Sequence, residues 1–236
     1  MPIATVEEVG TEATAPAGAV QDAPVQQAVT PTAVTSRRLR FTLDGQSFDG
    51  RLHPAANGDA AVLWVFGSGG GLGGPSGGIY ARLGAALVTR GVTSLELDYR
   101  RLRDLDACVE DVLAGVEHLE SLGRRRILLV GHSFGGRVVI EAAVRAPSVV
   151  AVCAMSSVDV PPEPLERLKP RPLLLIHGEQ DELVPHSVSV ELFRRVGAGA
   201  ELLLYPDCGH GLDQCGSALD RDLAAWIGTE LDIDGA

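Results

Sequence analysis

Arg126-Ile127-Leu128-Leu129-Val130-Gly131-His132-Ser133-Phe134-Gly135-Gly136-Arg137-Val138-Val139-Ile140 decides how this chain is read. Ile127 to Val130 is a continuous apolar run, which reads as a strand buried on both faces. From Val138 through Ala143 the apolar and alanine-rich residues suit a buried helix, and Pro147 and Ser148 stop it. Between the two sits Gly-His-Ser-Phe-Gly. A serine there occupies a sharp, strained turn that lifts its hydroxyl above the sheet. Gly131 and Gly135 supply the small volume that lets strand and helix pass closely. The N–H groups that open the following helix lack helical partners, and that of Phe134 is placed to bind an oxyanion. Ser133 is therefore a candidate nucleophile. A bare Gly-x-Ser-x-Gly occurs by chance. The flanking strand and helix weigh against the plainer reading of a glycine-rich turn with an incidental serine.

Outward from this stretch the elements alternate. Arg38 to Leu43 alternates with period two, and Asp44-Gly45 signals a hairpin that returns through Gln46 to Leu52. Asn57-Gly58-Asp59 is another turn. Ala60 to Phe66 is a buried strand leading into a long glycine loop, Ile79 to Arg90 a helix closed by Gly91, and Val92 to Leu97 a strand. Asp104 or Asp106 caps a helix whose apolar positions (Leu105, Val109, Val112, Leu113, Val116, Leu119) keep helical spacing. Beyond the nucleophile helix come strands at Val149–Met155, Pro172–Ile176 and Glu201–Tyr205, with helices at Ser187–Val196 and Ala218 to about Leu231. The stretch between Met155 and Pro172 is polar and proline-rich, too short for a large cap. The expected architecture is α/β: a mostly parallel sheet of about eight strands with helices on both faces. Such sheets place their sites at the carboxyl ends of strands. Every chemical candidate lies just after an expected strand.

With 236 residues and 45% hydrophobic content, one domain with a sizeable core is expected. Residues 37–236 are assigned to it. Residues 1–36, rich in Ala, Thr, Val, Pro and Gln, read as a disordered tail that lacks the surface to fold. That segment has neither the basic start of a secretory signal nor the arginines of a transit peptide. No apolar run reaches membrane-spanning length, so a cytoplasmic protein is expected. The formal charge is −11, with 20 Lys+Arg against 31 Asp+Glu, which argues against nucleic-acid or anionic-membrane partners. The four cysteines form no Cys-x-x-Cys pair, so a zinc ribbon is not expected, nor any other metal. Cys108 falls on an apolar helix face and Cys153 in a strand, where buried thiols are ordinary. Cys208 and Cys215 flank His210 and are within pairing range, but reduced thiols are expected.

A serine hydroxyl needs a base within hydrogen-bond reach. The best histidine is His210, in Tyr205-Pro206-Asp207-Cys208-Gly209-His210-Gly211, a small-residue loop after the last strand. His132 reads as a packing residue, His177 at a strand end as one that positions backbone, and His53, His118 and His186 as surface residues. The base in turn needs a carboxylate to hold its tautomer. Leu175 to Pro185 offers Glu179, Asp181 and Glu182.

Taken together, Gly131-His132-Ser133-Phe134-Gly135-Gly136 and these loops resemble the α/β-hydrolase superfamily, most closely its small lidless esterases and dienelactone-hydrolase-like members. The resemblance spans about Arg38 to Ile227. Gly178-Glu179-Gln180-Asp181-Glu182-Leu183-Val184-Pro185 resembles the Gly-x-x-Asp-x-x-Val-Pro segment that carries the acid there. This implies Asp181, giving the chain order Ser133, Asp181, His210 that the superfamily shows. Relatives often carry His-Gly-x-Gly-Gly after the equivalent of the Ala60–Phe66 strand. Here Phe66 stands where that histidine falls, followed by Gly67-Ser68-Gly69-Gly70. By that position the second oxyanion donor is the backbone N–H of Ser68, with Gly69 close behind. The resemblance implies a serine hydrolase acting on a small acyl substrate through an acyl-enzyme, with no cofactor. Dienelactone hydrolases often carry cysteine as nucleophile, so Ser133 points toward a general esterase or thioesterase.

Two rival readings remain open at this level. Gly69, Gly71 and Gly74 fit Gly-x-Gly-x-x-Gly between a strand and a helix, and Glu96 and Asp98 lie at the distance of a ribose contact. Residues 60–98 alone would suit a dinucleotide. A non-catalytic binding member of the fold is the other, although no triad position is lost.

Overall fold

A computed structural model describes residues 4–14 and 34–233. Its sheet has nine strands in the order β1-β2-β3-β5-β4-β6-β7-β8-β9. β1 (Thr5–Thr14), β2 (Val34–Leu43), β3 (Gln46–His53) and β5 (Thr93–Leu97) pair antiparallel in succession. β5, β4 (Ala60–Val65), β6 (Arg126–His132), β7 (Val149–Met155), β8 (Leu173–Gly178) and β9 (Ala200–Tyr205) run parallel. The expected α/β architecture is therefore present, with one strand more than anticipated. The extra strand corrects the reading of residues 1–36 as a tail. Thr5–Thr14 pairs with β2 along nearly its whole length, and β2 starts at Val34. Edge pairing needs only backbone donors and a β-tolerant sequence, so it leaves little mark on composition. The rest of the expected tail, residues 1–3 and 15–33, lies outside the described residues.

Alternation along the buried strands builds a core on each face of the sheet. Leu63, Val65, Leu95, Leu97 and Leu129 face α2 (Leu105–Ser121), α3 (Phe134–Ala143), α4 (Pro162–Leu168) and α5 (Ser187–Val196). Val62, Trp64, Leu128 and Val130 face α1 (Pro75–Val88) and α6 (Gly216–Glu230). Ser76, Gly77 and Gly78 lie at positive φ inside α1, so the regular helix begins at Ile79, where the sequence places it. Asp104 caps α2, its side chain accepting from Ala107 N–H at 3.1 Å. The short α4 is an element that the sequence reading lacks. Its prolines at the first turn are compatible with a helix start, and Leu165 and Leu168 bury against the core. No helix among the described residues is long and apolar enough to cross a membrane.

Parallel register brings the carboxyl ends of the strands to one edge. Val65 pairs with Leu97 and Gly131, His132 with Met155, and Gly178 with Tyr205. The loops after these residues therefore converge. Trp64 anchors this end, fully buried, donating from Nε1 to Ser94 Oγ at 2.7 Å and packing on Tyr80. Trp64→Ala should lower the free energy of unfolding by about 3–5 kcal/mol in urea titrations. A loss under about 1 kcal/mol would mean that the core closes over the gap.

Candidate active site

Ser133 sits between β6 and α3 at φ 56°, ψ −123°, a backbone conformation that side-chain-bearing residues avoid. Its surroundings leave no alternative. A Cβ on Gly131 would lie 2.1 Å from the Gly135 carbonyl oxygen, and one on Gly135 would lie 2.2 Å from that of Phe66. Ser133 N–H donates to the Met155 carbonyl at 2.8 Å, and Gly136 N–H returns to the Ser133 carbonyl at 3.0 Å. Strand, turn and helix are thereby locked, with the serine half-buried and its hydroxyl turned toward the base loop.

The structure brings Ser133, His210 and Asp181 together. His210 Nε2 lies 3.0 Å from Ser133 Oγ, and His210 Nδ1 lies 2.7 Å from Asp181 Oδ2. Asp181 follows β8, with its side chain buried. Its Oδ1 accepts from Leu183 N–H at 2.9 Å and Val184 N–H at 2.8 Å. Burial alone would raise its pKa. The bonds from Val184, His210 and Leu183 outweigh burial and hold it below the usual carboxylate range, so Asp181 stays ionised. Glu179 and Glu182 are exposed. Phe134 is the first residue of α3. Ser68 follows Gly67, where a Cβ would lie 3.2 Å from Ser133 Cβ, so that loop passes directly over Ser133.

Two further histidines hold this group, and composition carries no hint of it. His132 Nε2 donates to the His210 carbonyl at 2.8 Å, and Ser156 Oγ donates to the same oxygen at 3.2 Å. The His132 ring also packs between those of Phe66 and His210. Expected only to pack, His132 also ties the nucleophile turn to the base loop. His177 is expected to position backbone, and its Nε2 does donate to the Val184 carbonyl at 2.9 Å. The same proton faces Asp181 Oδ2 at 3.0 Å. Its Nδ1 pairs with Ser189 Oγ at 2.7 Å. The signal for both is position at a strand end, within a few residues of a candidate. His53 corrects the surface reading: it is fully buried at the end of β3. His118 is half-buried, edge-on to Phe41.

Cys208 and Cys215 are joined, which corrects the expectation of reduced thiols. The chain turns back through Leu212 at φ 57°, whose N–H donates to the Gly209 carbonyl at 3.1 Å, and the Cα atoms come to 5.9 Å apart. The bridge closes the loop that carries His210. Cys108 and Cys153 are buried free thiols, as expected. Among the described residues no cluster of side chains could hold a metal. Beside His210 a cleft of about 410 Å³ opens to solvent, bordered by Gln180, Glu182, Leu183, Asp207 and Gln214.

Burial lowers the pKa of His132 from 6.5 to about 4, against the raising effect of its bond to the His210 carbonyl. Between those values the unfolded chain binds a proton that the folded one does not. The contribution of His132 to stability is therefore complete above pH 6.5 and is lost as pH falls toward 4. Asp111, raised by burial to about 6, acts in the opposite sense, so the wild-type curve alone does not isolate the histidine. The difference in unfolding free energy between wild type and His132→Gln does. That difference should shrink by about 2 kcal/mol between about pH 7 and pH 4.5. A difference independent of pH would contradict a buried neutral imidazole.

Solved structures share this fold. The esterase domain of a Rhodothermus marinus protein is 19% identical with a TM-score of 0.68, over 83% of this chain and 99% of that one. Est1E from Butyrivibrio proteoclasticus is 18% identical with a TM-score of 0.69, over 82% and 98%. An acylaminoacyl peptidase from Pyrococcus horikoshii is 16% identical with a TM-score of 0.69, over 83% of this chain and 41% of that one. By sequence, an Escherichia coli K12 protein provisionally named a carboxymethylenebutenolidase is 30% identical over 121 residues, which are 43% of this chain and 44% of that protein. The match thus spans less than half the length of the curated relative. The family model extends further, from residue 79 to residue 225, across the nucleophile turn and both partner loops, and by that match the chain belongs to the dienelactone hydrolase family.

Proposed function

We propose that the chain is a serine hydrolase that cleaves a carboxylic ester, thioester or lactone through an acyl-enzyme on Ser133. The observation that carries this reading is the unbroken relay Ser133 Oγ, His210 Nε2, His210 Nδ1, Asp181 Oδ2, with steps of 3.0 and 2.7 Å. In the first half-reaction His210 Nε2 takes the hydroxyl proton as Ser133 Oγ attacks the acyl carbon. The N–H groups of Phe134 and Ser68 receive the developing oxyanion. His210 then gives the proton to the leaving oxygen or sulfur, and the acyl–leaving-group bond breaks. In the second half-reaction water loses a proton to His210, attacks the acyl carbon and releases the acid, and the proton returns to Ser133. Asp181, held ionised, keeps the Nδ1 proton of His210 in place and stabilises the imidazolium. The leaving group must lie on the His210 Nε2 side to be protonated.

The family and the esterase neighbours support the hydrolase class, and the related names support an acyl or lactone substrate. A small molecule is the partner proposed, with no metal or cofactor in the chemistry. The acidic balance of the chain keeps nucleic acid and membrane out of the proposal; the Cys208–Cys215 bridge weighs against the expected cytoplasmic location. The dinucleotide reading has less support. The N–H groups of Gly71 and Gly73 that would meet a pyrophosphate donate to Asp98 and Glu96, the same carboxylates it needed for the ribose.

A fluorophosphonate probe tests the reading without a guess at the substrate. Wild type should label at Ser133, and Ser133→Ala and His210→Ala should not. Asp181→Asn should lower turnover of any ester that wild type cleaves by about 10⁴-fold. Folded wild type that neither labels nor cleaves acyl esters would leave the non-catalytic reading of the fold.

A further inference from the structure

The glycine loop after β4 has few means of fixing its own shape. Gly67, Gly69, Gly70, Gly71, Gly73 and Gly74 have no side chains, and the last four lie at positive φ. A segment of this kind has many conformers to lose on ordering. An oxyanion donor works only if it is held in place before the charge develops. Two carboxylates from the end of β5, the strand beside β4, supply the restraint. Asp98 Oδ1 accepts from Gly71 N–H at 2.7 Å and from Tyr99 N–H at 2.7 Å. Glu96 Oε2 accepts from Gly73 N–H at 2.7 Å. Asp98 fits the loop so closely that a Cβ on Gly70 would lie 2.5 Å from Oδ1. Gly70 N–H closes the turn onto the Gly67 carbonyl at 3.0 Å, and Gly67 packs on Ser133. Ser68 lies inside that turn.

Glu96 is an unusual choice for packing alone. Its side chain is 1% exposed, and its other oxygen faces Arg51 Nη1 at 3.4 Å. Burial raises its pKa; Arg51 and the Gly73 N–H act against that. An ionisable group in the core is costly unless charge and hydrogen bonds compensate. Here the compensation comes from one arginine and from the loop itself. We propose that Glu96 and Asp98 are positioning residues for the oxyanion loop, gripping the N–H groups of Gly73 and Gly71 so that Gly67 and Ser68 are fixed against Ser133. Neither touches the reacting atoms, and the role rests on the serine-hydrolase reading. Because they order a group that binds the transition state, their loss should fall on kcat rather than KM.

The test uses the full chain with 4-nitrophenyl acetate as probe, and Asp98→Ala, Asp98→Asn, Glu96→Ala and Glu96→Gln as variants. Two readouts are taken: amide hydrogen exchange at Gly71 and Gly73 by NMR, and kcat and KM. Asp98→Ala should speed exchange at Gly71 by about tenfold or more, lower kcat by about 10- to 100-fold, and leave KM within about twofold. Asp98→Asn and Glu96→Gln still present an acceptor oxygen and should recover most of both. Glu96→Ala should release Gly73; if it fails to fold, Glu96→Gln and the Asp98 pair still decide. Unchanged exchange in Asp98→Ala would overturn the anchor, and faster exchange with unchanged kcat would overturn its role in positioning. Wild type inert to both ester and fluorophosphonate would remove the hydrolase reading and this role with it. An active wild type whose kcat survives Asp98→Ala would remove this role alone.

Discussion

Backbone meets backbone at Gly131, Gly135 and Phe66, at separations that leave no room for a Cβ at either glycine, and this contact holds Ser133 at φ 56°. The cost of that conformation is of order 1–3 kcal/mol. It persists because β6 and α3 are each packed into the core on both sides of the turn. The Phe66 carbonyl is itself fixed, accepting from Tyr99 Oη at 3.1 Å, while Tyr80 Oη donates to the Val65 carbonyl at 2.9 Å. The strain at the serine is thus balanced by burial of the strand and helix that flank it. Every other loop at this edge is placed relative to a turn that cannot relax.

The acid and base loops are fixed differently, by neutral imidazoles. His132 and His177 are buried, burial lowers the pKa of each, and each uses an Nε2–H on oxygens of the site. A cation in either place would bring a second positive charge beside the imidazolium that the proposed mechanism forms at His210. Neutral rings provide directional bonds without that penalty. Asp181 consequently accepts from four N–H groups (Leu183, Val184, His177 and His210), which explains how a buried carboxylate remains ionised.

What could be read beforehand follows from where chain periodicity governs structure. The parallel strands are continuous apolar runs, the helices keep their spacing, and the turn glycines are demanded by close approach, so the α/β architecture and the convergence of Ser133, Asp181 and His210 were legible. The misses have one kind of cause. β1 is an edge strand whose pairing partner is remote and whose side chains barely enter the core, so no period marks it. α4 is held by burial of Leu165 and Leu168 rather than by propensity. The Cys208–Cys215 bridge depends on how the loop turns at Leu212, held at φ 57°, which spacing alone does not report. His53 is buried because β3 is covered at its end, a property of the assembled sheet.

The glycine loop shows how one pattern supports two physical readings until contacts are known. Glycines after a strand, followed by acidic residues on the next strand, describe a dinucleotide site if the N–H groups face outward to a ligand. They describe a self-satisfied loop if those groups face the acids. Here Gly71 and Gly73 face Asp98 and Glu96 at 2.7 Å. Glu96 is buried and Asp98 and both glycines are partly so, and a carboxylate or N–H shielded from water is costly if left unpaired. Pairing them with one another removes both costs and orders the glycines at the same time. A ligand phosphate entering that loop would have to displace an internal anion already bonded there, whereas the oxyanion proposed at Ser133 would meet residues 67 and 68, to the side of the N–H groups that the carboxylates hold.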